Sequence, residues 1–319
     1  MAAQDVILRE VTVRQGGETL IERVSLSANA GVTTVLLGTT DSGATTTIKA
    51  VAGLVRVNEG RIAVGGVDVT RARAGRRNVA VVFEGHTLFP HMTIYENVAY
   101  PLRVARLEAG EIERRVGVIA ERLGISKVLN ERPRRIDESI RRRAGLARAI
   151  VRAPGAYLLD RTLASLDDDF RGAAREAIGF LRAQEHATIL MPSADAVEAM
   201  QLADRVVVMA NGGVLQEGPA DEVRLRPLSL AVAELASAPV FAFQEGVVLA
   251  IEPGSLRVRL NDGVTLALPI KPRDVEQGER VTVATPRSAL KDGGWGALEP
   301  GMALLFDSAG VALHAPAET

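Results

Sequence analysis

Gly38 and Gly43 frame the segment GTTDSGATT, which ends at Thr46, and their spacing is that of a phosphate-binding loop. Such a loop reads G-x-x-x-x-G-K-[ST]: its backbone N–H groups cradle phosphate, its lysine touches the outer phosphates and its hydroxyl binds magnesium. Thr45 occupies the hydroxyl position and Ala44 occupies the lysine position. The main chain through Thr39, Thr40, Asp41, Ser42, Gly43, Thr45 and Thr46 can still present amides to an anion at a helix start. What is lost is a point charge. A unit charge pair at about 4 Å and an effective dielectric of about 20 is worth about 4 kcal/mol. That is on the order of a thousandfold in affinity. The residues offer phosphate binding by dipoles alone.

The loop needs a strand before it and a helix after it. Residues 32–37 are apolar and β-branched, the pattern of a buried strand. Ile48, Val51 and Ala52 fall on one helical face, and Gly53 supplies a stop. The chain has 319 residues, 47% of them hydrophobic, enough for two domains with real cores. The balance of 38 basic and 39 acidic residues gives a net charge of −1, which does not call for nucleic acid or an acidic lipid surface as partner. With 3 tyrosines, 1 tryptophan and 7 phenylalanines, a base-stacking surface is not expected. Cysteine is absent, so disulfides and thiolate metal sites are excluded, in keeping with a reducing compartment. The four histidines, His86, His91, His186 and His314, have no metal-ligand spacing. The start of the chain carries no signal pattern and no apolar run approaches the ~18 residues of a spanning helix, so a soluble chain is expected.

Residues 1–238 alternate strand-like runs with helical patterns, an α/β signature with a parallel sheet. Buried strands are expected at 79–83, 156–159, 188–191 and 206–209, and helices at 114–123 and 141–151. Asp195 and Glu198 have the spacing of a capping box. From Pro239 the texture changes to short alternating strands. Residues 256–260 and 264–268, joined by Asn261-Asp-Gly263, read as a hairpin. Residues 239–319 are therefore expected to form a small β-barrel-like domain.

The motif order resembles the ATP-binding subunits of ABC importers of the carbohydrate and polyol type, over nearly the whole chain. Arg77-Asn-Val-Ala-Val-Val-Phe83 leads into LFPHMTIYENVAYPLR, residues 88–103, which is similar to the segment that receives the membrane subunits' coupling helix. Tyr157-Leu-Leu-Asp160 resembles Walker B, Leu166-Asp167 the D-loop, and the strand at 202–209 the one that follows the switch histidine. The C-terminal residues 244–313 resemble a shortened OB-like regulatory domain of that family. Residues 16–19 and 36–40 look most like importers that pair two different ATPase subunits, such as the glycerol type. The fold implied is a P-loop ATPase domain, a parallel-sheet core with a helical subdomain, followed by the β-domain.

Set against that resemblance, the expected functional positions fail in turn. Gln15 stands near the adenine-stacking aromatic, and Ala44 replaces the lysine. Glu84 replaces the Q-loop glutamine. The signature Leu-Ser-Gly-Gly-Gln reads Ile136-Asp137-Glu138-Ser139-Ile140, in a register fixed by RRRAGLARAI that follows. Arg161 replaces the general-base glutamate, and an always-protonated guanidinium accepts no proton from water. Ala194 replaces the switch histidine. Thr45, Glu84 and Asp160 remain as a partial set of magnesium ligands. Asp137 and Glu138 read in two ways, as an acidic helix start or as phosphate mimics aimed at a partner's lysine. The arginines from Arg132 to Arg143 read as a solvated or locally paired face.

The resemblance implies an importer subunit that is inactive at its own site and binds ATP and magnesium weakly or not at all. Its expected partners are a second, competent ATPase subunit, two transmembrane permeases docked on residues 88–103, and indirectly a solute-binding protein. Its expected location is the cytoplasmic face of the inner membrane. Two other readings fit the same residues: a divergent but active ATPase, and a regulatory pseudo-ATPase outside transport.

Overall fold

The computed structural model describes residues 3–83, 88–160, 178–179, 181–183, 187–237, 241–253, 255–268, 275–290 and 303–313. The chain divides into two compact units, Met1–Ala194 with Leu202–Val214, and Asp195–Gln201 with Leu215–Thr319.

The first unit opens with strands β1 (Val6–Gln15) and β2 (Glu18–Ala28), joined at Gly16 and Gly17. Both glycines have positive φ, 60° and 88°, as a tight turn matched to strand twist requires. With β4 (Glu59–Val64) and β5 (Val67–Asp68) they form an antiparallel sheet in the order β2-β1-β4-β5. The second sheet holds β3 (Thr33–Leu37), β6 (Val79–Phe83), β7 (Ala156–Asp160), β8 (Thr188–Ser193), β9 (Arg205–Ala210) and β10 (Gly213–Pro219). Its order is β10-β9-β3-β8-β7-β6, and the pairs β3–β8, β3–β9, β6–β7 and β7–β8 are parallel. The chain passes from the first unit to the second within β10.

Helix α1 (Ala44–Ala52) follows the loop and shares one core with both sheets: Ile48 and Val51 pack with Leu8, Ile21 and Ile62 on one side and Leu158, Leu190 and Val207 on the other. Its C-terminal end is closed by Gly53 in the left-handed region, φ 76°. Arg77, 3% exposed, completes that closure. Its guanidinium donates to Ala50 O at 2.7 Å, Val51 O at 3.1 Å, Thr70 O at 2.9 Å and Ala72 O at 2.8 Å. Burial pulls its pKa down from the ordinary arginine value, but four carbonyls and the negative end of the helix hold the charge.

Helices α2 (Ile94–Val104), α3 (Ala109–Arg122) and α4 (Glu138–Ile150) belong to the same unit. Helix α2 starts with a full capping box: Glu96 N donates to Thr93 Oγ1 at 3.1 Å and Thr93 N to Glu96 Oε2 at 2.7 Å. Those bonds hold the Glu96 carboxyl below the usual carboxylate range. Among the described residues no helix is long and apolar enough to cross a membrane.

The second unit contains α5 (Ala196–Leu202), α6 (Ala220–Leu225), α7 (Leu230–Ser237) and an antiparallel sheet in the order β13-β12-β11-β14-β15. Its strands are β11 (Phe241–Glu252), β12 (Ser255–Leu260), β13 (Thr265–Leu268), β14 (Arg280–Pro286) and β15 (Leu304–Phe306). Leu256 pairs with Leu268 across a turn in which Gly263 has φ 90°, the hairpin that the alternation at 256–268 predicts. Asp195 caps α5 by accepting from Val197 N at 2.8 Å and Glu198 N at 3.1 Å. Ala233 of α7 is buried with Phe241, Ala284 and Phe306. Helix α7 thus packs with the β-domain, although the change in sequence texture falls at 238/239.

Candidate nucleotide site

In a parallel sheet, ligands are met at the carboxyl ends of the strands. Leu37 at the end of β3 is in register with Ser193 at the end of β8, and Phe83 of β6 with Asp160 of β7. Gly38 N donates to Ser193 O at 3.0 Å, so the loop starts directly beside Ala194. The fold therefore gathers Gly38, Ala194 and Asp160 at one end of the sheet. Glu84 follows β6 and Arg161 follows β7, and both lie outside the described residues, as do Leu166 and Asp167.

The loop has the backbone of a phosphate cradle. Ser42 N donates to Thr39 O at 3.0 Å, which turns the chain tightly. Gly43, the residue before α1, has φ 91° and ψ −4°. Thr47 returns both its N–H, at 2.8 Å, and its hydroxyl, at 2.9 Å, to Gly43 O. Thr39, Thr40 and Asp41 are exposed, while Thr45 and Thr46 are half-buried on the first turn of α1. A Cβ on Gly38 would lie 2.5 Å from Ser42 Cβ, and one on Gly43 would lie 2.6 Å from Ile21 Cγ2. Both glycines are required by close approach, and Gly43 by its φ as well. Gly43→Ala is expected to destabilise the first unit by about 1–3 kcal/mol, read as a lower urea midpoint, whereas Gly75→Ala, with open space around it, should leave the midpoint unchanged.

Gly212 was not apparent from the sequence as part of this site. Its N–H donates to Ser42 O at 3.1 Å, and its own carbonyl accepts from Glu22 N at 2.9 Å. A Cβ there would lie 2.8 Å from Leu20 O. The signal available was the Asn211-Gly212-Gly213 turn after β9.

Charge is where the site departs from its shape. No residue from Gly38 to Thr47 is basic, and Ala44, at the lysine position, is 5% exposed. Ala194 sits exposed on the bend after β8 with only a methyl to offer. Gln15 ends β1, opposite Glu18 at the exposed hairpin tip, and supplies no ring. The loop fits a phosphate in form, and its described side chains, Gly38 to Thr47, bring no cation to it.

The signature segment forms the start of α4. Asp137 caps the helix, accepting from Ile140 N at 2.8 Å. Glu138 pairs with Arg141 at 3.2 Å and Arg142 at 3.5 Å, and Ser139 Oγ accepts from Arg143 at 3.4 Å. Of the two readings of these carboxylates, local partners support the acidic helix start. Asp137→Ala is expected to cost about 1 kcal/mol and Asp137→Asn only a few tenths, measured by chemical denaturation.

The ABC transporter family model matches residues 21–164. The trehalose/maltose import ATP-binding protein MalK of Thermococcus litoralis is 35% identical over 77% of this chain and 68% of its own length. An sn-glycerol-3-phosphate import ATP-binding protein, UgpC, of Cereibacter sphaeroides is 37% identical over 74% of this chain and 67% of its own. The lactose transport ATP-binding protein LacK of Rhizobium radiobacter is 32% identical over 88% of this chain and 77% of its own. The structure of cbiO1 from Clostridium perfringens, described as part of the ABC transporter complex cbiONQ, aligns with TM-score 0.61 and 21% identity over 70% of this chain and 95% of its own, a likeness of fold. Members of this family bind ATP with magnesium and work with transmembrane permeases. A phosphate-loop cradle at the carboxyl end of a parallel sheet, together with these relatives, identifies the chain as a member of the family of ABC-transporter ATP-binding proteins of the import type.

Proposed function

We propose that this chain is a catalytically inactive ATP-binding-type subunit of an importer for a carbohydrate or a polyol such as glycerol. It sits on the cytoplasmic face of the inner membrane, holds the permeases through residues 88–103 and pairs with a second, competent ATPase subunit. A solute-binding protein delivers the solute to the permeases. The observation that carries this reading is the buried Ala44 in a cradle whose backbone is otherwise complete. Ala194 and Arg161 add to it, because γ-phosphate sensing and water activation lose their groups along with the phosphate charge. Nucleotide binds weakly or not at all at Gly38–Thr46, and Thr45, Glu84 and Asp160 make an incomplete magnesium set. The same reading takes residues 1–238 as the ATPase-like domain and 239–319 as a C-terminal β-domain.

The test is co-purification of the tagged chain from its native host. The reading expects two permeases and a second ATPase with intact motifs in one complex. Its ATP turnover should vanish when the partner's Walker B glutamate is replaced and persist in this chain's Asp160→Asn. A complex of this chain with itself alone, or turnover lost in Asp160→Asn, contradicts the reading and favours a divergent active ATPase.

A further inference from the structure

We propose that Arg148 is a positioning residue that ties the signature segment to the docking segment by holding the ring of Phe89. The inference rests on the reading of residues 88–103 as the surface that receives the permeases.

Phe89 stands at the start of that segment and is fixed from two helices. From α2, Asn97, fully buried, accepts from Phe89 N at 2.6 Å and donates to Phe89 O at 3.1 Å and Thr93 O at 2.9 Å. The loop before α2 is thereby clamped to it. The Tyr100 ring meets the Phe89 ring edge-on, centroids 5.0 Å apart. From α4, the Arg148 guanidinium carbon lies 5.5 Å from the Phe89 centroid, within the range of cation–π attraction. Arg148 is half-buried, and its desolvation lowers its pKa while leaving it charged. A partly desolvated cation holds a ring more firmly than a hydrated one.

Helix α4 has 13 residues, so it is a rod of about 20 Å at about 1.5 Å per residue. Asp137, Glu138 and Ser139 lie at one end of it and Arg148 near the other. A displacement imposed on the signature end by a partner subunit is carried along the rod to Phe89. A second link ties α2 to the loop that precedes the signature segment: Ile94 N donates to Glu131 O and Tyr95 N to Leu129 O, both at 2.8 Å. That backbone link survives loss of Arg148. Removing the guanidinium should therefore loosen the Phe89 end without releasing α2.

The experiment uses the full transporter in nanodiscs with this chain as wild type, Arg148→Met, Arg148→Lys, Phe89→Leu and the Met/Leu double variant. The readout is solute transported per ATP hydrolysed. We expect basal ATP turnover to stay unchanged in Arg148→Met while transport per ATP falls about fivefold or more. Arg148→Lys, which keeps the cation, should recover most of it. Phe89→Leu should lose a similar factor and the double variant no more than either single, because one contact is removed in all three. Hydrogen exchange on the isolated chain gives a second readout: amides at 89–93 should exchange faster in Arg148→Met while those of α1 do not change. Transport per ATP equal to wild type in Arg148→Met, or losses that multiply in the double variant, overturns the inference alone. Failure of the wild-type chain to bind the permeases overturns the docking reading and the inference with it.

Discussion

Ala44→Lys tightens Mg-ATP binding to this chain by about 50-fold, as read by calorimetry on the purified protein. Two terms of opposite sign set the effect. A unit charge about 4 Å from phosphate contributes about 4 kcal/mol at an effective dielectric of about 20. Ordering a lysine side chain costs about 1.5–2 kcal/mol, and the remainder is a little over 2 kcal/mol. The backbone requires no rebuilding, because Gly43 already holds φ 91° and Thr47 already closes the first turn of α1 on Gly43 O. The helix N-terminus faces the same anion. The substitution restores binding and not turnover, since Arg161 still offers no base and Ala194 no imidazole. Only the triple variant with Arg161→Glu and Ala194→His is expected to release phosphate. Unchanged affinity in Ala44→Lys would mean that the cradle is closed to phosphate for a reason other than charge.

The second large effect is on stability. Arg77→Met is expected to destabilise the first unit by about 3 kcal/mol, lowering its melting transition by about 6–12 °C. The guanidinium is 3% exposed and bonds to four carbonyls, two of them in the last turn of α1. Those helix-end acceptors have few other donors. Arg77→Lys should recover little, because an ammonium is a point charge and cannot reach four carbonyls in a planar fork. Calorimetric scanning of the full chain reads the shift. A variant that melts with wild type would remove Arg77 from the list of structural determinants.

The parts legible in the sequence are those where one chemical pattern acts locally. Residues 256–268 alternate and carry Asn261-Asp-Gly263, and they form the hairpin with Leu256 opposite Leu268. The strand at 33–37, the loop and α1 follow from a run of apolar residues, two glycines and a helical face. The N-terminal antiparallel sheet was hidden because its alternation is interrupted. Glu10 and Arg23 both have positive φ, 52° and 47°, and the β1–β2 register shifts between Leu8 and Val11. A bulge of that kind moves side chains from one face to the other and erases period 2.

At the site, the sequence identifies what is missing more readily than what supports it. Ala44 and Ala194 are visible as substitutions against a motif. Gly212 and Arg77 act through carbonyls and amides contributed by distant segments, Ser42 and Glu22 for the first, Ala50 and Val51 for the second. No residue pattern marks such partners before the chain is folded. The same holds for Asn97, a polar residue buried in an amphipathic helix because it serves three carbonyls and one amide of the preceding loop.

The most direct measurement is steady-state ATP turnover by the assembled transporter in which the partner subunit's own Walker site has been disabled, leaving only the site built on Gly38–Thr46. Phosphate release should be no faster than from buffer containing magnesium and ATP. Release that saturates with ATP and disappears in this chain's Asp160→Asn would show a working reaction centre where the charges required for one are absent.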